Sequence, residues 1–280
     1  MNKILKTTFL TALAMFLSLQ FVEAKNVKFI QITDSHFSTV GTEYSQREVE
    51  YSKSILEKTI QDINTIKGVD FVAFTGDNID TASAVDLKLF IGIANRLNVP
   101  YYVVIGNHEV FKSQHFTKQD YMKIVHKYSK NCRPNGANYV FKKDGFVFVV
   151  VDGAKEVIPG PSGYYKKDTL KWLDKTLTKY KKDTVVILQH FPIVEPYRNR
   201  THTTYNIKDY EDVLKNHTNV IAIFSGHYHA NAETKKDGIY HVSTPALIES
   251  PHNFKIIEIS GKEDKGAMDY QIYTQLRHAE

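Results

Sequence analysis

With 280 residues, 42% hydrophobic and 24% charged, the chain has globular composition and the length to bury the core of one or at most two domains. Its 36 Lys and Arg exceed its 31 Asp and Glu, for a formal charge of +5. That mild excess suits an anionic substrate without identifying nucleic acid as a partner, and a single cysteine, Cys132, excludes an intramolecular disulfide.

Residues 1–24 open on Lys3 and Lys6, continue through an apolar stretch from Phe9 to Val22, and close on Val22-Glu23-Ala24. This is the layout of a secretory signal peptide cleaved after Ala24. The apolar stretch is shorter than the roughly 18 to 20 residues of a spanning helix. The expectation is therefore an exported chain, periplasmic or extracellular, with no integral membrane segment after cleavage and with residues 25–280 as one domain. Cleavage removes two Lys and one Glu, leaving 34 basic against 30 acidic residues and a formal charge of +4.

Beyond the leader, strand and helix patterns alternate. Largely apolar runs at Val27 to Thr33, Val69 to Thr75, Tyr101 to Ile105, Phe146 to Val151, Thr184 to Gln189 and Val220 to Ser225 read as strands, several of them covered on both faces. Helical spacing appears between them: Val49, Ile55, Leu56, Ile60 and Ile63; then Leu87, Phe90, Ile91, Ala94 and Leu97; then Leu170, Trp172, Leu173 and Leu177. Gly68 stands where the first helix should stop, and Pro100 follows the second. Cys132 falls in a loop-like Lys-Asn-Cys-Arg-Pro-Asn-Gly stretch and reads as a free thiol without catalytic surroundings. Three further strand-like runs, Ile239 to Ser243, Phe254 to Ile259 and Asp269 to Gln275, extend a sheet or form a second one. The alternation implies an α/β layered fold with a largely parallel or mixed sheet flanked by helices.

Five polar clusters fall at or within one residue of the C-terminal ends of those strands: Asp34-Ser35-His36, Gly76-Asp77-Asn78-Ile79-Asp80, Gly106-Asn107-His108-Glu109, Gln189-His190 and Gly226-His227-Tyr228-His229. In open α/β sheets that edge is where ligand sites form. Each cluster alone reads equally as a turn or a helix cap. Together, Asp34, His36, Asp77, Asn107, His190, His227 and His229 offer two carboxylates, one amide oxygen and four imidazoles. Such nitrogen and oxygen donors suit Mn, Fe, Zn, Co or Ni and lack the thiolates of a structural zinc site. Seven side chains are too many for one small ion, whereas two ions sharing a carboxylate use them well. On an extended chain His227 and His229 point the same way, which would let both rings face one site.

The set resembles the calcineurin-like metallophosphoesterase family, whose blocks run D-x-H, GD-x-x-D, GNH-[DE], H and GH-x-H in that order. All five are present between residues 34 and 229. The resemblance implies two packed mixed β-sheets flanked by helices and two divalent or trivalent transition-metal ions. It also implies that Asp34, His36 and His229 bind one metal, that Asn107, His190 and His227 bind the other, and that Asp77 bridges them. His108 matches the position that protonates the leaving oxygen, and Asp80 the carboxylate that pairs with that imidazole in some members. Asp80 is followed by Thr81 where protein Ser/Thr phosphatases place Arg, and it stands where purple acid phosphatases place Tyr, so both subfamilies are disfavoured.

The expected activity is metal-dependent hydrolysis of a small phosphorylated substrate, monoester or diester. Two metals activate a water and clamp the phosphoryl oxygens for in-line attack, and an imidazole protonates the departing alkoxide. A nuclease or nucleotidase is the second reading, though no Lys/Arg stripe interleaved with aromatics lies near the motifs. A non-catalytic scaffold is the third, and lost ligands would mark it. Outside the motifs, His115, His126, His202, His217 and His278 read as surface residues. Tyr197, Arg198 and Arg200 read as a surface loop after His190, Tyr228 as a packing residue, and Glu109 as a group that orients a neighbouring ligand.

Overall fold

Strand β1 (Lys25–Ile32) sends alternate side chains to opposite faces of a sheet, and both faces are buried. Phe29 joins a core between two sheets, while Ile30 and Ile32 join the core beneath the helices. The same alternation recurs in β5 (Phe146–Val151), where Phe146, Phe148 and Val150 face the inner core and Val147, Val149 and Val151 the outer one. This is why these strands read as continuous apolar runs instead of alternating ones. The chain is described here by a computed structural model covering residues 25–41, 46–110, 116–158, 160–264 and 267–279. The leader read at residues 1–24 lies outside them, and among the described residues no helix is long and apolar enough to cross a membrane.

Two mixed sheets form. The first has the order β11-β10-β1-β2-β3, with β2 at Phe71–Phe74, β3 at Tyr101–Val103, β10 at Asn253–Asp264 and β11 at Ala267–His278. The second runs β4-β5-β6-β7-β9-β8, with β4 at Tyr139–Lys143, β6 at Thr184–Gln189, β7 at Val220–Ser225, β8 at Ala232–Lys236 and β9 at Ile239–Ser243. β1, β2 and β3 are mutually parallel, as are β5, β6, β7 and β9. The sheets are joined by an aromatic cluster in which Phe29 stacks on Phe71 at 4.8 Å and meets Phe224 edge-on at 5.1 Å. Removing one such ring costs about 3–5 kcal/mol.

The helices are α1 (Ser52–Thr65), α2 (Ala84–Ala94), α3 (Lys118–Tyr128), α4 (Lys167–Lys179) and α5 (Ile207–Leu214). The alternation in the sequence marks α1, α2 and α4 and misses α3 and α5. It also misses β4 and β8, the antiparallel edge strands of the second sheet. Both edges are lysine-bearing, β4 half-buried and β8 largely exposed, and the lysines blunt them against pairing with another chain. Each meets its neighbour through an Asp-Gly turn, Asp144-Gly145 and Asp237-Gly238, with all four residues at positive φ, as a two-residue hairpin demands. Cys132 is free and lies in the loop between α3 and β4, as read, but its side chain is fully buried in the core, and burial pushes its thiol up to about 11.

Candidate metal centre

The C-terminal ends of β1, β2 and β3 from one sheet and of β6 and β7 from the other meet along one edge. The five polar clusters occupy that edge. Their loops are stitched together by backbone hydrogen bonds, Asp34 N to Gly76 O at 3.0 Å, His36 N to Asp77 O at 2.9 Å and Gly226 N to His190 O at 3.0 Å. Asp34, His36, Asp77, His227 and His229 all adopt positive φ, from 42° to 71°, a conformation that costs a non-glycine residue on the order of 1 kcal/mol or more. His227 and His229 are therefore not on an extended chain, as the sequence suggests. β7 ends at Ser225, and the left-handed turns that follow send the two rings to different partners.

Among the described residues three groups of donors gather, two of them built from the expected ligands and a third of His36, Asp80 and His108 that shares His36 with the first. The coordinating atoms of Asp34, His36 and His229 lie within 4.8 Å of one another, as do those of Asp77, His190 and His227. His229 Nε2 is 3.2 Å from Asp34 Oδ1, and His190 Nε2 is 3.2 Å from Asp77 Oδ2. Asp77 Oδ2 also lies 3.9 Å from His36 Nε2, so one oxygen faces imidazoles of both groups. Each carboxylate spends its other oxygen on positioning. Asp34 Oδ2 accepts from Thr33 Oγ1 at 2.6 Å and His227 N at 3.0 Å, and Asp77 Oδ1 accepts from His108 N at 2.8 Å.

The four imidazoles are oriented in the same way. His190 Nδ1 bonds Thr75 O at 2.9 Å, His229 Nδ1 bonds Glu249 Oε1 at 2.6 Å, His227 Nε2 bonds His202 O at 2.9 Å, and His36 Nδ1 faces Asp80 Oδ1 at 3.2 Å. An oxygen partner on one nitrogen fixes which nitrogen is left for a metal. The atoms left over are telling. Asp34 Oδ1, His36 Nε2, Asn107 Oδ1 and His190 Nε2 are buried without a hydrogen-bond partner, an arrangement that costs free energy unless something else occupies those lone pairs. Mixed nitrogen and oxygen donors converging in this way fit a pair of transition-metal ions.

The protons fit the same picture. Burial opposes charge on His190, but Asp77 and Asp34 outweigh it and lift the ring to about 9. Asp34 and Glu249 do the same for His229, again to about 9 against its burial. Burial, with His108 beside one ring and His190 beside the other, presses His36 and His227 down to about 3. Burial also opposes the charges of Asp34 and Asp77, yet neighbouring imidazoles hold both below the usual carboxylate range. Each of the two ligand groups thus combines a carboxylate held toward its anion, one imidazole pushed up and one pushed down.

The second carboxylate of the GD-x-x-D block stands beside two imidazoles, His108 and His36. His108 Nδ1 donates to the backbone carbonyl of Asp80 at 2.5 Å, whereas the Asp80 carboxylate lies 3.8 Å from that ring and nearer to His36. Glu109 is fully buried and accepts the N–H groups of Gly106, Asp77, Asn78 and Ile79 at 2.6–3.2 Å. It ties together the loops that carry Asn107 and Asp77. Burial and Asp77 push its carboxyl up to about 8, while four donors that each need an acceptor favour the anion.

An open cleft of about 560 Å³ leads to the groups, lined among others by Arg47, His108, Tyr197, His202, His229 and Glu249. Arg47, Glu249 and the wall formed by Tyr197, Asn199 and His202 carry no sequence signature, and His202 is a cleft residue where the sequence reads as surface. Arg198 and Arg200 are exposed and are not among the residues lining the cleft. Tyr228 packs against Tyr197 at 5.1 Å. His115 lies outside the described residues, and His126 and His217 bond Pro134 O and Asp174 away from the groups.

Residues 27–231 match the family model for calcineurin-like phosphoesterases. The chain belongs to that family. A probable glycerophosphodiester phosphodiesterase of Arcobacter nitrofigilis is 27% identical over 212 residues, 73% of this chain and 72% of that protein. The 3',5'-cyclic adenosine monophosphate phosphodiesterase of Haemophilus influenzae is 27% identical over 225 residues, 79% of this chain and 76% of that protein. Among solved structures, a dimetal phosphatase from Danio rerio superposes with a TM-score of 0.67 at 18% identity, covering 91% of this chain and 99% of the other; that likeness shows the shared fold. As a calcineurin-like phosphoesterase the chain is a metal-dependent hydrolase of phosphoester bonds, and it carries candidate ligand groups for the metals of that family.

Proposed function

We propose that the chain hydrolyses small phosphodiesters, with Asp34, His36 and His229 holding one transition-metal ion, Asn107, His190 and His227 the other, and Asp77 reaching both. The observation that carries the ligand set is the gathering of Asp34, His36 and His229 and of Asp77, His190 and His227 within 4.8 Å, with buried donor atoms on Asp34, His36, Asn107 and His190 that have no hydrogen-bond partner. The preference for diesters is supported by relatives named as glycerophosphodiester and cyclic-nucleotide phosphodiesterases and by a cleft open enough for both substituents.

When bound, such a pair supplies Lewis acidity toward the phosphoryl oxygens and a nucleophile at neutral pH. The chain's own residues do the rest. Asp34 and Asp77 are held by hydrogen bonds to their outer oxygens, so their inner oxygens are positioned in advance. His108 has Nδ1 committed to the Asp80 carbonyl, and its Nε2, 3.4 Å from Arg47 Nη1, lines the cleft as the atom that would pass a proton to the leaving oxygen. Asp80 orients His36, and Glu249 orients His229.

The test is hydrolysis of p-nitrophenyl phosphate and bis-p-nitrophenyl phosphate by metal-stripped protein resupplied with Mn, Zn, Fe, Ni or Co. Faster turnover of the diester is expected. Preference for the monoester overturns the diesterase assignment, and no turnover with any ion sinks the proposed chemistry. Export is part of the same proposal, supported by the leader-like residues 1–24; mass spectrometry of the protein from the producing cell should find a mature chain beginning at Lys25.

A further inference from the structure

The cleft beside the metal groups contains one basic side chain that no motif accounts for. Among the described residues lining it, Arg47 is the sole Lys or Arg. Its Nη1 lies 3.4 Å from His108 Nε2 and 3.9 Å from Asp80 Oδ1. We infer that Arg47 is a specificity-determining residue that binds a negatively charged group carried by the leaving portion of the substrate. This rests on the reading of His108 as the proton donor.

The side of the cleft follows from the contacts. His108 Nε2 must reach the leaving oxygen within hydrogen-bond distance to protonate it. A guanidinium 3.4 Å from that atom stands beside the leaving group, and the reacting phosphoryl group lies toward the paired donor groups. Tyr197, Asn199 and His202 also line the cleft, with Tyr197 packed on Tyr228 and the His202 carbonyl on His227. Among the described lining residues Arg47 is therefore the guanidinium nearest the atom that would deliver the proton.

The chemistry of the cation narrows the ligand. A guanidinium presents N–H donors in a planar fork that matches two oxygens of a carboxylate or a phosphate. Arg47 is 22% exposed at its side chain, partly desolvated yet open to the cleft, where a charge-assisted pair is stronger than on an open surface. The substrate class is thus a phosphoester whose leaving alcohol bears an oxyanion a few bonds from the ester oxygen. Carboxylate and phosphate share that chemistry.

Two diesters with leaving groups of similar acidity test it, methyl 4-carboxyphenyl phosphate and methyl 4-chlorophenyl phosphate. Wild-type protein should favour the carboxylated ester in kcat/KM, and Arg47→Ala should reduce the ratio of the two by roughly tenfold or more. Arg47→Lys should retain part of the preference, since it keeps the charge without the fork. A ratio unaltered by Arg47→Ala overturns the inference. If wild type turns over neither ester, the diesterase reading fails separately. Calorimetric titration with 4-carboxybenzylphosphonate against benzylphosphonate then decides Arg47 alone: selective, Arg47-dependent binding of the carboxylated compound supports the role, while equal affinity or no binding of either refutes it.

Discussion

Gly76 lies so close to His190 that a Cβ on it would sit 2.6 Å from the ring's Cγ. The glycines that open two other motifs are crowded in the same way. A Cβ on Gly106 would lie 2.9 Å from Asp77 Cγ, and one on Gly226 would lie 2.6 Å from Asp34 Oδ2. Each glycine admits a candidate ligand from a different motif, so the Gly-Asp, Gly-Asn and Gly-His pairs interlock. Gly76 also needs its positive φ of 98°. Gly76→Ala is expected to cost about 2–3 kcal/mol through overpacking, a fall in melting temperature of roughly 4–12 °C. Gly92, exposed in α2 with nothing within 4 Å of an added Cβ, is the control, and Gly92→Ala should raise stability by about 0.5–1 kcal/mol.

Glu109 is predicted to matter for folding before it matters for chemistry. Its carboxylate accepts four backbone N–H groups from two loops. In Glu109→Gln one oxygen becomes an amide donor that faces N–H groups, leaving buried donors unpaired at about 2–4 kcal/mol in total. Urea denaturation of metal-stripped wild type and variant measures this independently of any metal. An unchanged midpoint would show that the four bonds contribute nothing net.

The motifs were legible because the donors of a metal site must be particular residue types, and they stand at strand ends where α/β folds build sites. The apolar runs were legible because both faces of those strands are buried. What the sequence left hidden has other causes. β4 and β8 are half-solvated edges without an apolar run, although the Asp-Gly pairs beside them carry a hairpin signal. α3 announces itself only through the Thr117 and Asp120 capping box. Arg47, Glu249 and His202 reach the cleft from loops more than 150 residues apart at their extremes, and no local pattern encodes such a meeting. The geometry of Asp80 was hidden for a subtler reason. Its spacing predicts a partner for a histidine, but a carbonyl and a carboxylate on one residue can serve two different rings.

Metal uptake should release protons. In the metal-stripped protein His190 and His229 are held at about 9, so both are charged at pH 7.5, and coordination requires them neutral. Calorimetric titration of Mn or Zn in two buffers of different ionisation enthalpy should report release of about two protons per chain, falling toward none above pH 9. The linked stability has a definite sign. A folded value raised above the unfolded 6.5 contributes stability that is complete below 6.5 and lost as pH rises through 9. His36 and His227, depressed to about 3, oppose folding only below 6.5. Metal-stripped protein should therefore lose melting temperature between pH 7 and 9.5, and a flat profile would contradict the assigned protonation.

The role of His108 is separable from that of the ligands beside it. Its backbone N–H holds Asp77 Oδ1 at 2.8 Å, and that bond survives any change of side chain. His108→Ala should accordingly keep its metal content while losing the proton at Nε2. A p-nitrophenolate leaves well without help, whereas an alkoxide does not. The variant is therefore expected to slow hydrolysis of an alkyl ester by about 10²–10⁴-fold and that of a p-nitrophenyl ester by much less. Measured across esters of graded leaving-group acidity, log kcat/KM should depend more steeply on leaving-group pKa in the variant than in wild type. Equal slowing along the whole series, with metals retained, would assign His108 to substrate positioning and leave proton delivery to water in the cleft.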